Sequence, residues 1–182
     1  MRIVGGDLRG RPIRAPAGQD TRPTSDRARQ AAFNILQHAP WAAGLDGARV
    51  IDLFAGSGAM GLEALSRGAA ACLFVETAAP ALAAIAANLA SLRVGGRART
   101  LRQDAARLGP RPANEAAFDL AFLDPPYGQG LGEAALEGLR AGGWLAPGAA
   151  VVLEIGAAEP FAAPAGYEVL DDRRYGAAQV VF

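Results

Sequence analysis

Apolar positions divide the chain into a polar, arginine-bearing beginning and a long remainder in which two periodicities alternate. From residue 50 onward, short strand-like runs exchange with Ala-rich stretches whose apolar residues recur at helical spacing. This pattern predicts strands over residues 50–54, 71–75, 98–102, 118–123 and 150–155, with helices over 59–67, 80–92 and 131–140. Strands separated by helices of that length need right-handed crossovers, which gives a parallel sheet covered on both faces. The tail departs from the rule. Its apolar runs, 167–170 and 178–182, are separated only by residues 171–177, which predicts an antiparallel hairpin at the sheet edge. The expected fold is α/β, with a mostly parallel seven-stranded sheet.

The beginning follows a different pattern. Ile3 and Val4, the glycines at 5 and 6, and Pro12, Ile13 and Arg14 predict a short irregular hairpin. A polar loop leads to Thr24, a good N-cap, and Asp26 follows in the first helical turn. Ala28, Ala31, Ala32, Ile35 and Leu36 then recur at helical spacing, so a helix is expected over residues 25–38, stopping before Pro40. Residues 1–182 form one domain, with 1–40 as a hairpin-plus-helix extension.

Composition narrows the chemistry. All 18 basic residues are arginine, which excludes a Walker-type phosphate loop, a Schiff-base lysine and a β-lactamase-type Ser-x-x-Lys. One cysteine, Cys72, and one histidine, His38, leave no disulfide framework and no multi-histidine zinc centre, so no metal is expected. Cys72 reads as a small core residue, His38 as a favourable cation at a helix end, and Trp41 and Trp144 as packing anchors. No signal peptide or membrane span is legible, and a reducing cytoplasm is the expected compartment.

The formal net charge of zero is a cancellation. Residues 1–29 hold seven arginines against three aspartates, a local excess of +4, and the other 153 residues carry −4. Such an extension is either a solvated terminus or a segment suited to an anionic polymer, where each contacted phosphate adds a salt-dependent increment of affinity. Arg9, Arg11, Arg22, Arg27 and Arg29 are the candidate contacts.

Two motifs carry chemistry. In the first, Gly56, Gly58 and Gly61 form Gly-x-Gly-x-x-Gly between a strand and a helix, where backbone N–H groups can approach a ligand closely. Glu76, at the end of the second strand, is placed to accept both hydroxyls of a ribose. Alone, the loop suits a nicotinamide or flavin enzyme as well as a methyltransferase. Asp52 shifts the balance, because an acid there repels a pyrophosphate but can help hold the ammonium and sulfonium of S-adenosylmethionine. Asp104 is placed to accept an adenine amino group, or else simply caps a helix.

The second motif, Asp124-Pro125-Pro126-Tyr127 at a strand's carboxyl end, is the more specific. A nucleobase amine is a poor nucleophile because its lone pair is delocalised into the ring. The Asp124 carboxylate and the Pro125 carbonyl would hold its two N–H bonds and favour a pyramidal nitrogen. Paired prolines fix the direction of that carbonyl, and Tyr127 offers a stacking face worth roughly 1–3 kcal/mol. Positioning in line with the methyl group, with water excluded, does the rest.

Taken in order, Asp52, Phe54, the glycine loop, Glu76, Asp104 and Asp124–Tyr127 resemble class I S-adenosylmethionine-dependent amino-methyltransferases, whose fold is Rossmann-like. With Arg-Ile-Val-Gly-Gly at residues 2–6, Arg-Pro-Thr-Ser-Asp-Arg-Ala-Arg at 22–29, Phe33-Asn34 and the closing Arg174-Tyr175-Gly176, the whole chain closely resembles the RsmD family. Those enzymes methylate N2 of a guanine in bacterial small-subunit (16S) ribosomal RNA. The resemblance implies that Asp52, Phe54, Gly56, Gly58, Glu76, Asp104 and Ala105 hold the cofactor, and that Asp124, Pro125, Pro126 and Tyr127 hold the base. It also implies RNA, within an assembling small subunit, as partner, with neither a membrane nor an obligate protein partner. A buried base amine must be looped out or flipped to reach such a site. The competing readings are an adenine-N6 methyltransferase, disfavoured by the lack of a separate target-recognition domain, and a non-catalytic RNA-binding assembly factor, disfavoured by the intact motifs.

Overall fold

The computed structural model describes residues 1–17, 26–42 and 44–182. Arg22, Thr24 and the expected first helical residue, Ser25, lie outside the described residues. Helix α1 covers Asp26–His38, and the core then alternates: β1 Arg49–Leu53, α2 Ala59–Ser66, β2 Ala71–Glu76, α3 Ala79–Leu92, β3 Ala98–Arg102, β4 Phe118–Leu123, α4 Leu131–Ala141 and β5 Leu145–Gly156. Strands β6, Asp172–Tyr175, and β7, Ala178–Val181, close the chain. The seven strands form one sheet in the order β3-β2-β1-β4-β5-β7-β6. β1 to β5 are parallel, whereas β7 runs antiparallel to both β5 and β6. Strand order reverses between β1 and β4, which is where an open α/β sheet leaves a crevice for ligands.

Alternation of side chains explains why consecutive apolar residues suit these strands. Val50, Leu120, Phe122, Val152 and Val180 face one side and pack with Phe33 of α1, Leu62 of α2 and Ile85 of α3. Ile51, Leu53, Ala121, Leu123, Leu153 and Val181 face the other and pack with Ala135, Leu136 and Leu139 of α4. Both faces are therefore dry. Cys72 is buried among these side chains, and burial pushes its thiol up. Trp144 stacks on Phe118 and donates from Nε1 to the Gly109 carbonyl at 2.8 Å, while Trp41 lies against Phe182; both are packing anchors.

Two strand assignments need correction. The first arm of the closing hairpin is Asp172–Tyr175, not residues 167–170. Its Asp-Arg-Arg-Tyr sequence has no apolar run because β6 is an edge strand that needs none. The apolar Tyr167 instead anchors a loop to α4, donating its hydroxyl to the Leu136 carbonyl at 2.7 Å. Strand β5 begins at Leu145 rather than 150, because a register shift opposite Phe118–Leu120 accommodates Pro147 and Gly148 within it.

The N-terminal hairpin forms as expected, with Ile3 N–H donating to Arg11 O at 2.9 Å and Gly10 N–H to Ile3 O at 2.8 Å. It is no solvated arm. Ile3 and Ile13 belong to the same buried cluster as Phe33 and Leu62. Ser66, at the end of α2, accepts from Leu8 N–H and donates to Gly5 O at 2.9 and 2.6 Å. On α3, the Asn88 carboxamide accepts from Arg14 N–H at 2.8 Å and donates to both Arg14 O and Ser57 O at 3.0 Å. Among the described residues, no helix is long and apolar enough to cross a membrane.

Candidate active site

The C-terminal ends of β1, β2, β3, β4 and β5 carry nearly all the expected chemistry. After β1 the chain turns through Phe54, Gly56 and Gly58 with φ of 57°, 54° and 78°, the left-handed region that glycine tolerates best. The third glycine serves packing. A Cβ on Gly61 would stand 2.4 Å from Phe74 Cε1 and 2.5 Å from Cys72 Sγ, so α2 lies directly on β2. Asp52 Oδ2 accepts from Gly61 N–H at 2.9 Å, which ties the strand to the first turn of α2. That carboxyl is buried, and its pKa is raised from 3.8 to about 8, first by burial and then by the charges of Asp124 and Glu76; the Gly61 hydrogen bond opposes the shift.

Glu76 holds the loop from the second strand. Its Oε2 accepts from Gly56 N–H at 2.9 Å, and its Oε1 accepts from Thr77 and Ala78 N–H at 2.7 and 2.9 Å. The carboxylate is thereby fixed in orientation before any ligand arrives. Asp104 caps a 3₁₀ turn over Ala105–Arg107, with Oδ1 accepting from Ala106 N–H at 2.9 Å, so the capping role open to it from the sequence is real. Its Oδ2 lies 3.8 Å from Arg107 Nε, and Ala105 is buried beneath it.

Asp124 follows β4 immediately, exposed at the crevice, whereas Pro125 is buried. The next residue but one, Tyr127, is 41% exposed, so its ring keeps a free face. Its hydroxyl donates to Glu154 Oε1 at 2.7 Å. Burial, that bond and the charges of Glu154, Asp124 and Glu159 push the phenol well up, so it remains neutral and a donor. Glu159 Oε1 accepts from Gly128 and Gly156 N–H at 2.9 and 3.1 Å, joining the loop after Tyr127 to the end of β5. Sequence reasoning leaves Glu154 unassigned and passes over Glu159. The signal for Glu154 is its place at the end of a buried strand neighbouring Asp124.

The carboxylates of Glu76 and Asp124 are close enough to Asp52 for their charges to raise its pKa, so the field beside the glycine loop is negative although Asp52 itself stays largely protonated at neutral pH. An environment of that sign disfavours a pyrophosphate and suits a ligand bearing a sulfonium and an ammonium. The residues present therefore fit S-adenosylmethionine.

The arginines behave differently from one another. Arg9 and Arg27 are exposed and, with Arg2 and Gln30, line one pocket between the hairpin and α1. Arg11 is exposed and donates from Nη2 to Ser91 O at 3.0 Å. Arg29 corrects the expectation. It is fully buried beside Glu63 and donates to the Arg2 carbonyl, so it has no surface to offer an RNA. Its place one helical turn from Ala32 and Phe33, on the apolar side of α1, puts it inside the core.

Strand order, glycine loop and Asp-Pro-Pro-Tyr corner together define a class I methyltransferase fold. The solved structure of the Escherichia coli protein yhhF superposes with a TM-score of 0.81 at 32% identity, covering 100% of this chain and 95% of that one. The Haemophilus influenzae protein HI0767 gives a TM-score of 0.81 at 28% identity, with 100% and 96% covered. The sequence model of the family described as Conserved hypothetical protein 95 matches residues 1–182, and the chain belongs to that family, the RsmD family. Relatives include the Ribosomal RNA small subunit methyltransferase D of Escherichia coli K12, 38% identical over 154 residues, which are 85% of this chain and 74% of the relative. The protein of that name from Haemophilus influenzae is 32% identical over 177 residues, 97% of this chain and 89% of the relative.

Proposed function

We propose that this chain transfers a methyl group from S-adenosylmethionine to the exocyclic N2 amine of a guanine in 16S ribosomal RNA. The observation that carries the reading is the placement of Asp124 and Tyr127 at the end of β4, across the crevice from the glycine loop and Glu76. The names of the relatives, ribosomal RNA small subunit methyltransferases, supply the class of substrate. Asp52, Phe54, Gly56, Gly58, Glu76, Asp104 and Ala105 hold the cofactor, which supplies an electrophilic methyl on a sulfonium.

The chain's own residues prepare the amine. Asp124 and the Pro125 carbonyl accept its two N–H bonds, which turns the nitrogen lone pair out of conjugation and toward the glycine loop. Tyr127 supports the base from its exposed face. As the nitrogen becomes cationic, the negative field of Asp124 stabilises it, and the surplus proton leaves to Asp124 or water. Arg2, Arg9 and Arg27 grip flanking phosphates, and Arg11 and Arg22 add to that grip. Because residues 1–17 are docked on α2 and α3, the contacts of Arg2, Arg9 and Arg11 have a fixed bearing on the site.

The test is transfer of tritiated methyl to ribosomal RNA and to partly assembled small subunits, followed by nucleoside analysis. Label in N2-methylguanosine is the expected result. Label in N6-methyladenosine, or RNA binding without transfer, overturns the reading.

A further inference from the structure

Strands β4 and β5 pair in parallel up to Leu123↔Leu153, so the next residues of each, Asp124 and Glu154, stand side by side at the crevice. Phe122 and Val152, two residues earlier on the same face and also paired, line one pocket together with Asp124, Glu154, Met60 and Ala32. Neighbouring strands lie about 4.8 Å apart, so two acceptor groups at this level present a pair of adjacent hydrogen-bond acceptors. The Watson–Crick edge of guanine is the complement of such a pair, because its N1–H donor adjoins its N2 amine. Adenine offers a lone pair at N1 beside its own amine, which a carboxylate repels.

From this juxtaposition we infer that Glu154 selects guanine over adenine: its carboxylate accepts the N1–H of the target base while Asp124 holds the neighbouring amine. The inference rests on the proposed reading of the site as a guanine-amine methyltransferase, and it assigns the base preference of that site to a residue outside the Asp-Pro-Pro-Tyr motif. Tyr127 contributes by orientation. Its hydroxyl, 2.7 Å from Glu154 Oε1, links the stacking platform to the acceptor. A carboxylate has about four acceptor positions, so the phenol and a base N–H are compatible partners. The same acceptor is also what excludes adenine, since a site built to receive a donor penalises the analogue that lacks one.

The experiment compares two substrates in one preparation: the ribosomal RNA fragment that the wild-type protein labels, and the same fragment with 2-aminopurine at the methylated guanine. 2-Aminopurine keeps the exocyclic amine and has no N1–H. The wild type should favour guanine in kcat/KM on the order of 100-fold. Glu154→Gln, whose amide can donate to N1 as well as accept from it, should bring that ratio to within about tenfold, chiefly through slower reaction of guanine. A ratio is insensitive to the fraction of folded enzyme. If Glu154→Gln slows both substrates by one common factor, Glu154 acts only by positioning Tyr127 and the inference is overturned. Tyr127→Phe separates the roles further: it should lower both rates and leave the ratio intact, and a collapsed ratio would assign the discrimination to the phenol instead. A wild-type protein that labels a base other than guanine overturns the underlying reading, and with it this one, and differs from the other failures because it is seen before any substitution is made.

Discussion

The Arg29 guanidinium lies 3.6 Å from the Glu63 carboxylate, with both side chains wholly shielded from water. The same carboxylate accepts from Val4 N–H at 2.8 Å and pairs with Arg67 Nε at 2.7 Å, so one buried acid on α2 fastens the hairpin, α1 and its own helix. Removing one partner of such a pair leaves an uncompensated buried charge, which typically costs about 3–5 kcal/mol. Glu63→Ala and Arg29→Ala should each lose stability of that order in urea denaturation. Arg27→Ala, two residues from Arg29 but exposed, should stay within about 0.5 kcal/mol of wild type. Equal losses at Arg27 and Arg29 would contradict the assignment of one to the surface and the other to the core.

Exposed arginines carry a different expectation. Replacing Arg9 and Arg27 with Gln removes two cations from the pocket between the hairpin and α1. Affinity for the RNA substrate should fall, and the slope of log K against log salt should become shallower by about 0.7 for each phosphate that is no longer neutralised. Filter binding across a salt series measures this. An unchanged slope would remove these residues from the interface.

Asp124→Ala addresses the chemistry itself. The side chain is exposed at the crevice and follows β4 directly, so its loss should leave the glycine loop and Glu76 in place. Methyl transfer should drop by about 10²–10³-fold, while S-adenosylmethionine affinity, read by calorimetry, should change little. Loss of both together would place Asp124 among the cofactor contacts.

Asp52 makes stability depend on pH. Its carboxyl has a pKa of about 8 in the folded chain against an ordinary 3.8, so the folded state binds that proton more tightly than the unfolded state. The stabilisation is fully present below pH 3.8 and is lost as the pH rises through about 8. Asp52→Asn keeps an acceptor for Gly61 N–H and removes the charge. Its Tm should therefore gain on the wild type progressively across that window and level off above it. A difference in Tm that does not vary with pH would show that Asp52 titrates normally.

Much of this architecture is legible in the residues, and the parts that are not share a cause. β3 and β4 have the bounds that their spacing predicts, α2, β2, α3 and α4 differ by one residue at one end, and β1 is displaced by one residue toward the N-terminus. β6 escapes the pattern because an edge strand carries no apolar signal, and β5 reads as too short because proline and glycine look like a stop. Within the site, the motif residues all reach the carboxyl ends of the strands as their spacing requires. The hidden contributors are polar residues embedded in apolar surroundings. Glu63 sits within Ala-Met-Gly-Leu-Glu-Ala-Leu-Ser, and Asn88 falls on the face defined by Ala81, Ala84, Ile85 and Leu92. A lone polar residue at such a position announces a buried partner, but only the tertiary structure says which one. Arg29 misleads for the same reason, since a run of arginines suggests a surface and burial depends on helical phase.

Asn88 shows what such a residue does for the molecule as a whole. Its carboxamide touches the backbone at Arg14, where the hairpin ends, and at Ser57, inside the glycine loop. The segment assigned to gripping RNA and the segment assigned to cradling the cofactor are thereby bolted to a single bracket that belongs to neither. A chain without that bracket would display both motifs unaltered in its sequence, yet nothing at this point would keep their separation constant. The reach from phosphate to methyl is a length, and in this protein one amide group acts as part of its gauge.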